Sequence, residues 1–310
     1  MSPQTLLWIG FAVFVITMMA LDLGVFHRRP HEVRFKEALA WCLVWVLLAV
    51  IFNVGVYIWR GHQSAMEFAA AYLIEESLSV DNLFVFLLIF SYFKVPHHYR
   101  HSVLFWGIIG AVVMRGVFIA AGISLLNRFE WIIYIFGAML IITGIKLALE
   151  KNKASFQADS FIVKFVRKLV PVSEGYKDGK YWFKENGRII ITPLLLVLLV
   201  IDITDVIFAV DSIPAVLAIT RDPFIVYTSN TFAVLGLRSL YFVLSNIMDL
   251  FHHLHYGLAV ILTFIGVKML VSHTYHIPTG ISLLFILITL TLSIIASIIW
   301  PRTKKEIASH

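Results

Sequence analysis

One cysteine, Cys42, stands in 310 residues. It cannot close an intrachain disulfide, and without a CxxC or Cys/His spacing there is no dithiol centre or zinc ribbon within one chain. Charge is equally scarce. Asp, Glu, Lys and Arg make up 14% of the residues, against about 25% in soluble domains. The N-terminus has no basic leader region and no small-residue cleavage site before Asp22. Its first apolar run therefore reads as a span and not as a removed signal peptide. The net charge of +6 is not gathered into one patch. The bases flank apolar runs, which is the signature of membrane topology and excludes a nucleic-acid surface as partner.

What fills the chain is apolar. Hydrophobic residues reach 60% and the mean hydropathy is +0.87. Nine runs are long enough to cross a bilayer: 5–26, 38–59, 67–93, 102–125, 129–149, 189–218, 224–247, 255–272 and 278–300. Backbone groups in lipid must be satisfied within each segment, so the fold class is all-α, a polytopic transmembrane helical bundle. With the N-terminus outside, the inner segments 27–37, 94–101, 150–188, 248–254 and 301–310 hold eighteen Lys and Arg. The outer segments hold three: Arg60, Arg128 and Arg221. This bias places the C-terminus in the cytoplasm of a multi-pass inner-membrane protein.

The chain also repeats itself. Val80-Asp81 matches Val210-Asp211, which sets Glu75 over Asp205. Met114-Arg115-Gly116 matches Leu237-Arg238-Ser239, and Tyr134 with Thr143-Gly144-Ile145-Lys146 matches Tyr256 with Ile265-Gly266-Val267-Lys268. Each unit holds three spans, so the second copy enters from the opposite side: a 3+3 inverted repeat. The organisation expected is two N-terminal spans (1–66), a first repeat (67–149), a basic inner loop (150–188), a second repeat (189–272), then a last span and tail (273–310). In the loop, 161–169 puts Ile162, Val166 and Leu169 on one face and Lys164, Arg167 and Lys168 largely on the other. That pattern fits an interfacial helix on anionic lipid, or a short solvated helix on the bundle.

The two acidic motifs carry the chemistry. Glu75, Asp81, Asp205 and Asp211 lie well inside their spans, and Asp202 slightly nearer the cytoplasm. Each acid at bilayer depth costs roughly 2.5–3.5 kcal/mol, so the group needs protons, a metal ion, or both. Hard oxygen ligands without thiolate or midplane histidine favour Mn²⁺, Mg²⁺ or Ca²⁺. Ser79, Asn82, Ser212 and backbone carbonyls add neutral oxygens. The structural alternative is that Arg115 and Arg238, also near mid-span, pair with two of the acids. Residues six apart on a straight helix diverge by about 120°, so Asp205 and Asp211 cannot both face one ion unless the helix is broken. Pro214 deprives the Val210 carbonyl of its donor and is expected to bend or unwind the span beside Asp211.

Other polar residues are assigned plainer roles. Lys146 and Lys268 near span ends are expected to snorkel, with a gating pair as the alternative. His97, His98, His101, His252, His253 and His255 read as interfacial, with metal capture or pH sensing as the alternative. Glu76 either joins Glu75 or faces another helix, and Asp22 is expected to anchor the membrane edge, with ligation as the alternative. Gly107, Gly110, Gly116 and Gly122 point to close helix packing.

The stretches Glu75–Phe86, Asp202–Ala215, Phe136-Gly137-Ala138 and Thr143-Gly144-Ile145-Lys146 resemble the TerC family of integral membrane proteins, in particular its Alx-like branch. The resemblance covers almost the whole chain. It implies that Glu75, Asp81, Asp202, Asp205 and Asp211 are the family's acidic positions, and it implies Mn²⁺ export. Glu76 departs from a lysine in relatives. The family's tellurium-resistance and redox labels are not explained by these residues, since midplane acids repel an oxyanion.

The function expected is export of a divalent metal ion, manganese first and Mg²⁺ or Ca²⁺ after it, by alternating access with proton counter-movement. Glu75, Asp81, Asp205 and Asp211 bind the ion, Asp202 serves as inner ligand or relay, and Arg115 and Arg238 balance charge. The alternative is a membrane scaffold or stress-response partner holding a structural ion. An enzyme is not expected, because no cofactor motif is present.

Overall fold

The computed structural model describes residues 3–26, 35–129, 131–149, 173, 175–176, 179–185, 188–247, 254–272, 274–275 and 277–299. The amphipathic segment 161–169 lies outside them. There are two compact units, Met1–Arg34 and Phe35–His310. The first contains one apolar helix, α1 (Pro3–Phe26).

The second unit runs α2 (Phe35–Arg60), α3 (His62–Tyr92), α4 (His97–Arg128), α5 (Ile132–Leu149), a hairpin of β1 (Trp182–Glu185) and β2 (Arg188–Ile191), then α6 (Pro193–Leu217), α7 (Pro223–Ile247), α8 (Leu254–Val271) and α9 (Thr279–Ile299). The nine helices of the described residues match the nine spans in order, and the chain is an all-α multi-pass membrane protein. By length and apolarity alone α2, α4, α5, α6 and α9 are long enough to cross a membrane. The long helices α3 and α7 are the polar ones. α3 carries Glu67, Glu75, Glu76 and Asp81, and α7 carries Thr228-Ser229-Asn230-Thr231 and Arg238. α7 is buried almost all round, from Phe224 to Ser239 apart from the half-buried Tyr227. A polar helix inside a membrane bundle belongs where protein, not lipid, surrounds it.

Helix boundaries follow from local chemistry. Gly61 alone joins α2 to α3, with φ 87 that a side chain would resist. Pro193 starts α6 where its missing N–H is harmless. Asp222 Oδ1 caps α7 by accepting from the backbone N–H of Phe224 at 2.9 Å and of Ile225 at 3.3 Å.

Two helix crossings fix the chain's direction. On α4, Gly107 meets Leu198 and Ile201, Gly110 meets Asp202, and Gly122 meets Ile213 and Leu217, all of α6. The numbers rise together, so α4 and α6 are parallel, as helices two crossings apart must be. On α5, a methyl at Gly137 would stand 2.9 Å from the Gly266 carbonyl oxygen, and one at Gly144 2.8 Å from that of Ala259. Here one number rises as the other falls, so α5 and α8 are antiparallel, as helices three crossings apart must be.

Pro214 does not interrupt its helix: α6 is continuous from Pro193 to Leu217. The expected unwinding beside Asp211 is absent. Pro214 costs only the Val210 carbonyl its i+4 donor, and the helix continues on both sides of that one lost bond, with Ala218 N–H bonding the Pro214 carbonyl at 3.0 Å.

The β-hairpin before α6 is docked on the neighbouring helix ends. Tyr176 donates to the Phe93 carbonyl at 2.6 Å, and the Tyr181 and Ser102 hydroxyls pair at 2.8 Å. Burial pushes the Tyr176 phenol above its ordinary range, so it keeps the proton it donates.

Candidate functional site

Three helices converge on one buried ion triad. Arg115 of α4 donates through Nε and Nη2 to the two oxygens of Asp205 on α6, 3.0 Å each, and through Nη1 to Glu75 Oε2 on α3 at 2.6 Å. All three side chains are at most 4% exposed. The fork-to-carboxylate geometry is the strong, directional form of an arginine pair. The repeat-matched acids Glu75 and Asp205 are thus brought together by an arginine from the intervening helix. Two carboxylates and one guanidinium leave a formal charge of −1 in a low-dielectric interior. One carboxylate oxygen, Glu75 Oε1, is buried without a hydrogen-bond partner among the described residues.

Neutral polar groups continue from the triad along the same helix faces. Glu75, Ser79 and Asn82 are spaced i, i+4, i+7 on α3, and Asp205 and Ser212 are seven apart on α6, so each set shares a face. Ser79 Oγ, Asn82 Nδ2 and Ser212 Oγ are buried and unpartnered among the described residues. Buried polar atoms are normally satisfied, so a run of four is a place where a ligand's chemistry is anticipated.

The other acids stand apart. Asp202 lies one turn before Asp205 on α6, its carboxylate laid on α4 where Gly107 and Gly110 have no side chains. Methyl groups there would stand 3.5 and 3.0 Å from it. Its Oδ1 is buried without a partner. Asp211 points to α5 and accepts a hydrogen bond from Thr143 Oγ1 at 3.1 Å, with Lys146 one turn further along α5. Along α6, Asp202, Asp205 and Asp211 lie about 14, 18 and 27 Å from its start. The acids form a ladder along the bundle. Among the described residues no three His, Cys, Asp or Glu side chains converge as a metal-binding group. Asp81 lies in α3, but its side chain, like that of Asp22, is outside the described residues.

Glu76 turns away from Glu75. Its Oε1 is 3.9 Å from where a methyl on Gly236 of α7 would lie, near Trp45 of α2. Arg238 is buried on α7. Lys146 is exposed, as snorkelling requires, whereas Lys268 is buried and donates to Ser282 of α9 at 3.0 Å, contrary to the expectation for it. His98 and His255 pack against the rings of Tyr99 and Tyr256, and His101 against Phe242. His252 and His253 lie outside the described residues. Thr143, a repeat position, and Gly107 and Gly110, packing positions, each touch an acid.

The family model described as "Integral membrane protein TerC family" matches residues 59–305. A membrane protein of Myxococcus xanthus, STKORF319, is 48% identical over 297 residues, 96% of this chain and 93% of its own. Proteins named "Putative membrane-bound redox modulator Alx" are 45% identical over 311 residues in Salmonella typhi, 97% of each chain. In Escherichia coli K12 the same name goes with 47% identity over 288 residues, 90% of this chain and 89% of the relative. No solved structure matches. The match runs from the last turn of α2 past the end of α9 and takes in every acid of the ladder, and the chain belongs to the integral membrane protein TerC family.

Proposed function

We propose that the protein exports a divalent metal ion, manganese first, by proton-coupled alternating access between two inverted three-helix repeats. The observation that carries this reading is the Glu75–Arg115–Asp205 triad, buried at mid-span with a net negative charge and an unsatisfied carboxylate oxygen. A structural salt bridge is completed by matching charge, whereas this one is left one positive charge short. The oxygens are those of Glu75, Asp205, Ser79 and Ser212, with the Asn82 amide beside them and Asp81 on the same helix as Glu75. Such donors suit Mn²⁺, Mg²⁺ or Ca²⁺ and not a thiophilic metal. Asp202 towards the inner side and Asp211 towards the outer side serve as steps of the path, and Arg238 as charge balance. The orientation follows the basic inner loops. The antiparallel crossing of the repeat-matched helices α5 and α8 supports the inverted relation.

The test is flux. Purified protein in proteoliposomes should move Mn²⁺ faster than other divalent ions, and the rate should follow an imposed pH gradient. A second reading, a scaffold or stress-response partner holding a structural ion, is favoured by one fact: Arg115 already satisfies three of the triad's four carboxylate oxygens. Tight Mn²⁺ binding without flux under any gradient would select it.

A further inference from the structure

Arg115 and a divalent cation cannot both own the Glu75–Asp205 pair. With the guanidinium in place, three carboxylate oxygens are engaged at 2.6–3.0 Å and only Glu75 Oε1 remains. Adding a doubly charged ion to two carboxylates and an arginine gives a net +1, uncompensated in a buried site. Moving the arginine away restores neutrality: two carboxylates against one divalent ion.

The bundle provides a second seat for the guanidinium. Asp202 is one turn from Asp205 on the same face of α6, about 4.5 Å along the axis. Gly107 and Gly110 let its carboxylate lie directly on α4, five residues before Arg115 on that helix. Helix side chains lean towards the N-terminus of their own helix, which for Arg115 is the direction of Asp202. Asp202 Oδ1 is buried and has no partner among the described residues. The step asked of the guanidinium is about one helical turn.

We infer that Arg115 is a tethered competitor of the transported ion, holding Glu75 and Asp205 in one position and stepping to Asp202 when the ion enters. The inference rests on the divalent-ion reading and deepens it. Charge balances in the loaded position: the ion with Glu75 and Asp205, the arginine with Asp202. In the other position the arginine stands in for the ion, which lets the carrier return without cargo.

The experiment uses the full chain, in detergent for binding and in proteoliposomes for flux, with Mn²⁺ as probe. Arg115→Gln should bind Mn²⁺ about tenfold more tightly, retain Mn²⁺/Mn²⁺ exchange and lose net export. A purely architectural arginine would give the reverse, weaker binding and loss of exchange and export together. Asp202→Asn leaves the triad intact and should weaken Mn²⁺ binding about tenfold, because the displaced arginine has no seat. That loss should vanish when Asp202→Asn is combined with Arg115→Gln. Unchanged or weaker binding by Arg115→Gln overturns the inference, as does an equal effect of Asp202→Asn with and without Arg115, which would make Asp202 a direct ligand. Should Arg115→Gln fail to fold, unaltered Mn²⁺ affinity of Asp202→Asn alone overturns it. Absence of any Mn²⁺, Mg²⁺ or Ca²⁺ binding by the unaltered protein and both variants overturns the divalent-ion reading as well.

Discussion

Asp202 rests on the bare α-carbon of Gly110, where a methyl group would stand 3.0 Å from its Oδ2. Gly110→Ala should therefore lower thermal stability in detergent by about 1–3 kcal/mol, the usual cost of overpacking. The loss should shrink when Asp202→Ala is added, because the shortened side chain clears the space. Strictly additive losses would mean that the two residues do not touch.

Glu75 and Asp205 share one arginine unequally. Glu75→Gln and Asp205→Asn each bring the triad to formal neutrality, so their difference reports hydrogen bonds, not charge. Asp205 supplies two acceptors and Glu75 one. Glu75→Gln should stay within about 1 kcal/mol of the unaltered protein, and Asp205→Asn should lose about 1.5–3 kcal/mol. Unfolding monitored on the two purified variants ranks them, and the opposite order would deny the bidentate pair its weight.

The spans, their number and their order were legible because lipid imposes long apolar runs. A shared ion for Asp205 and Asp211 depends on a break at Pro214; the helix runs on unbroken, so the two stay about 120° apart, one on Arg115 and the other on Thr143. What the spacing could not say was which neighbour each side chain meets. Gly107 and Gly110, three apart on α4, announced close approach to another helix without naming Asp202 as what approaches. Lys268 was expected to snorkel because its distance from a span end is visible in sequence, whereas the α9 hydroxyl that receives it is not. The β-hairpin does have a sequence signal: Asn186-Gly187 between Trp182–Glu185 and Arg188–Ile191 is the favoured dipeptide for a tight hairpin turn.

Asp211→Asn keeps an oxygen that can accept from Thr143, so folding should survive. Its charge is gone, and Mn²⁺ export should be lost with it. Thr143→Val removes only a neutral hydrogen bond and should cost about 0.5–1.5 kcal/mol of stability. Export at the unaltered rate by Asp211→Asn would take Asp211 out of the path.

Lys268 places an ammonium in the bundle with Ser282 as its hydrogen-bond acceptor and Glu67 as the nearby opposing charge. Removing the charge and keeping the stem, as in Lys268→Met, lifts a desolvation cost. The melting temperature should hold or rise. Ser282→Ala keeps the charge and removes its acceptor, so the melting temperature should fall. A fall for Lys268→Met larger than for Ser282→Ala would show that the ammonium itself holds α8 to α9.

The α5/α8 crossing offers a test of the repeat that needs no transport assay. A shift of 122 residues carries Gly144 onto Gly266 and Gly137 onto Ala259. The contact of Gly144 with the Ala259 carbonyl then maps onto that of Gly266 with the Gly137 carbonyl, at 2.8 and 2.6 Å for an added methyl. A two-fold relation demands such reciprocity, because each contact has to recur with its partners exchanged. Gly144→Ala and Gly266→Ala both drive a methyl into backbone, which cannot move aside as a side chain can. Each should lower stability by about 1–3 kcal/mol, and by similar amounts. Gly55→Ala on α2 meets only the ring of Trp59 at 3.8 Å, an ordinary contact. It should be neutral or stabilising by up to about 1 kcal/mol through helix propensity. If Gly144→Ala and Gly266→Ala behave like Gly55→Ala, the close crossing is absent and the inverted relation loses its nearest physical contact. If only one of them is costly, the crossing exists without the symmetry, and the two halves must have diverged at their shared axis.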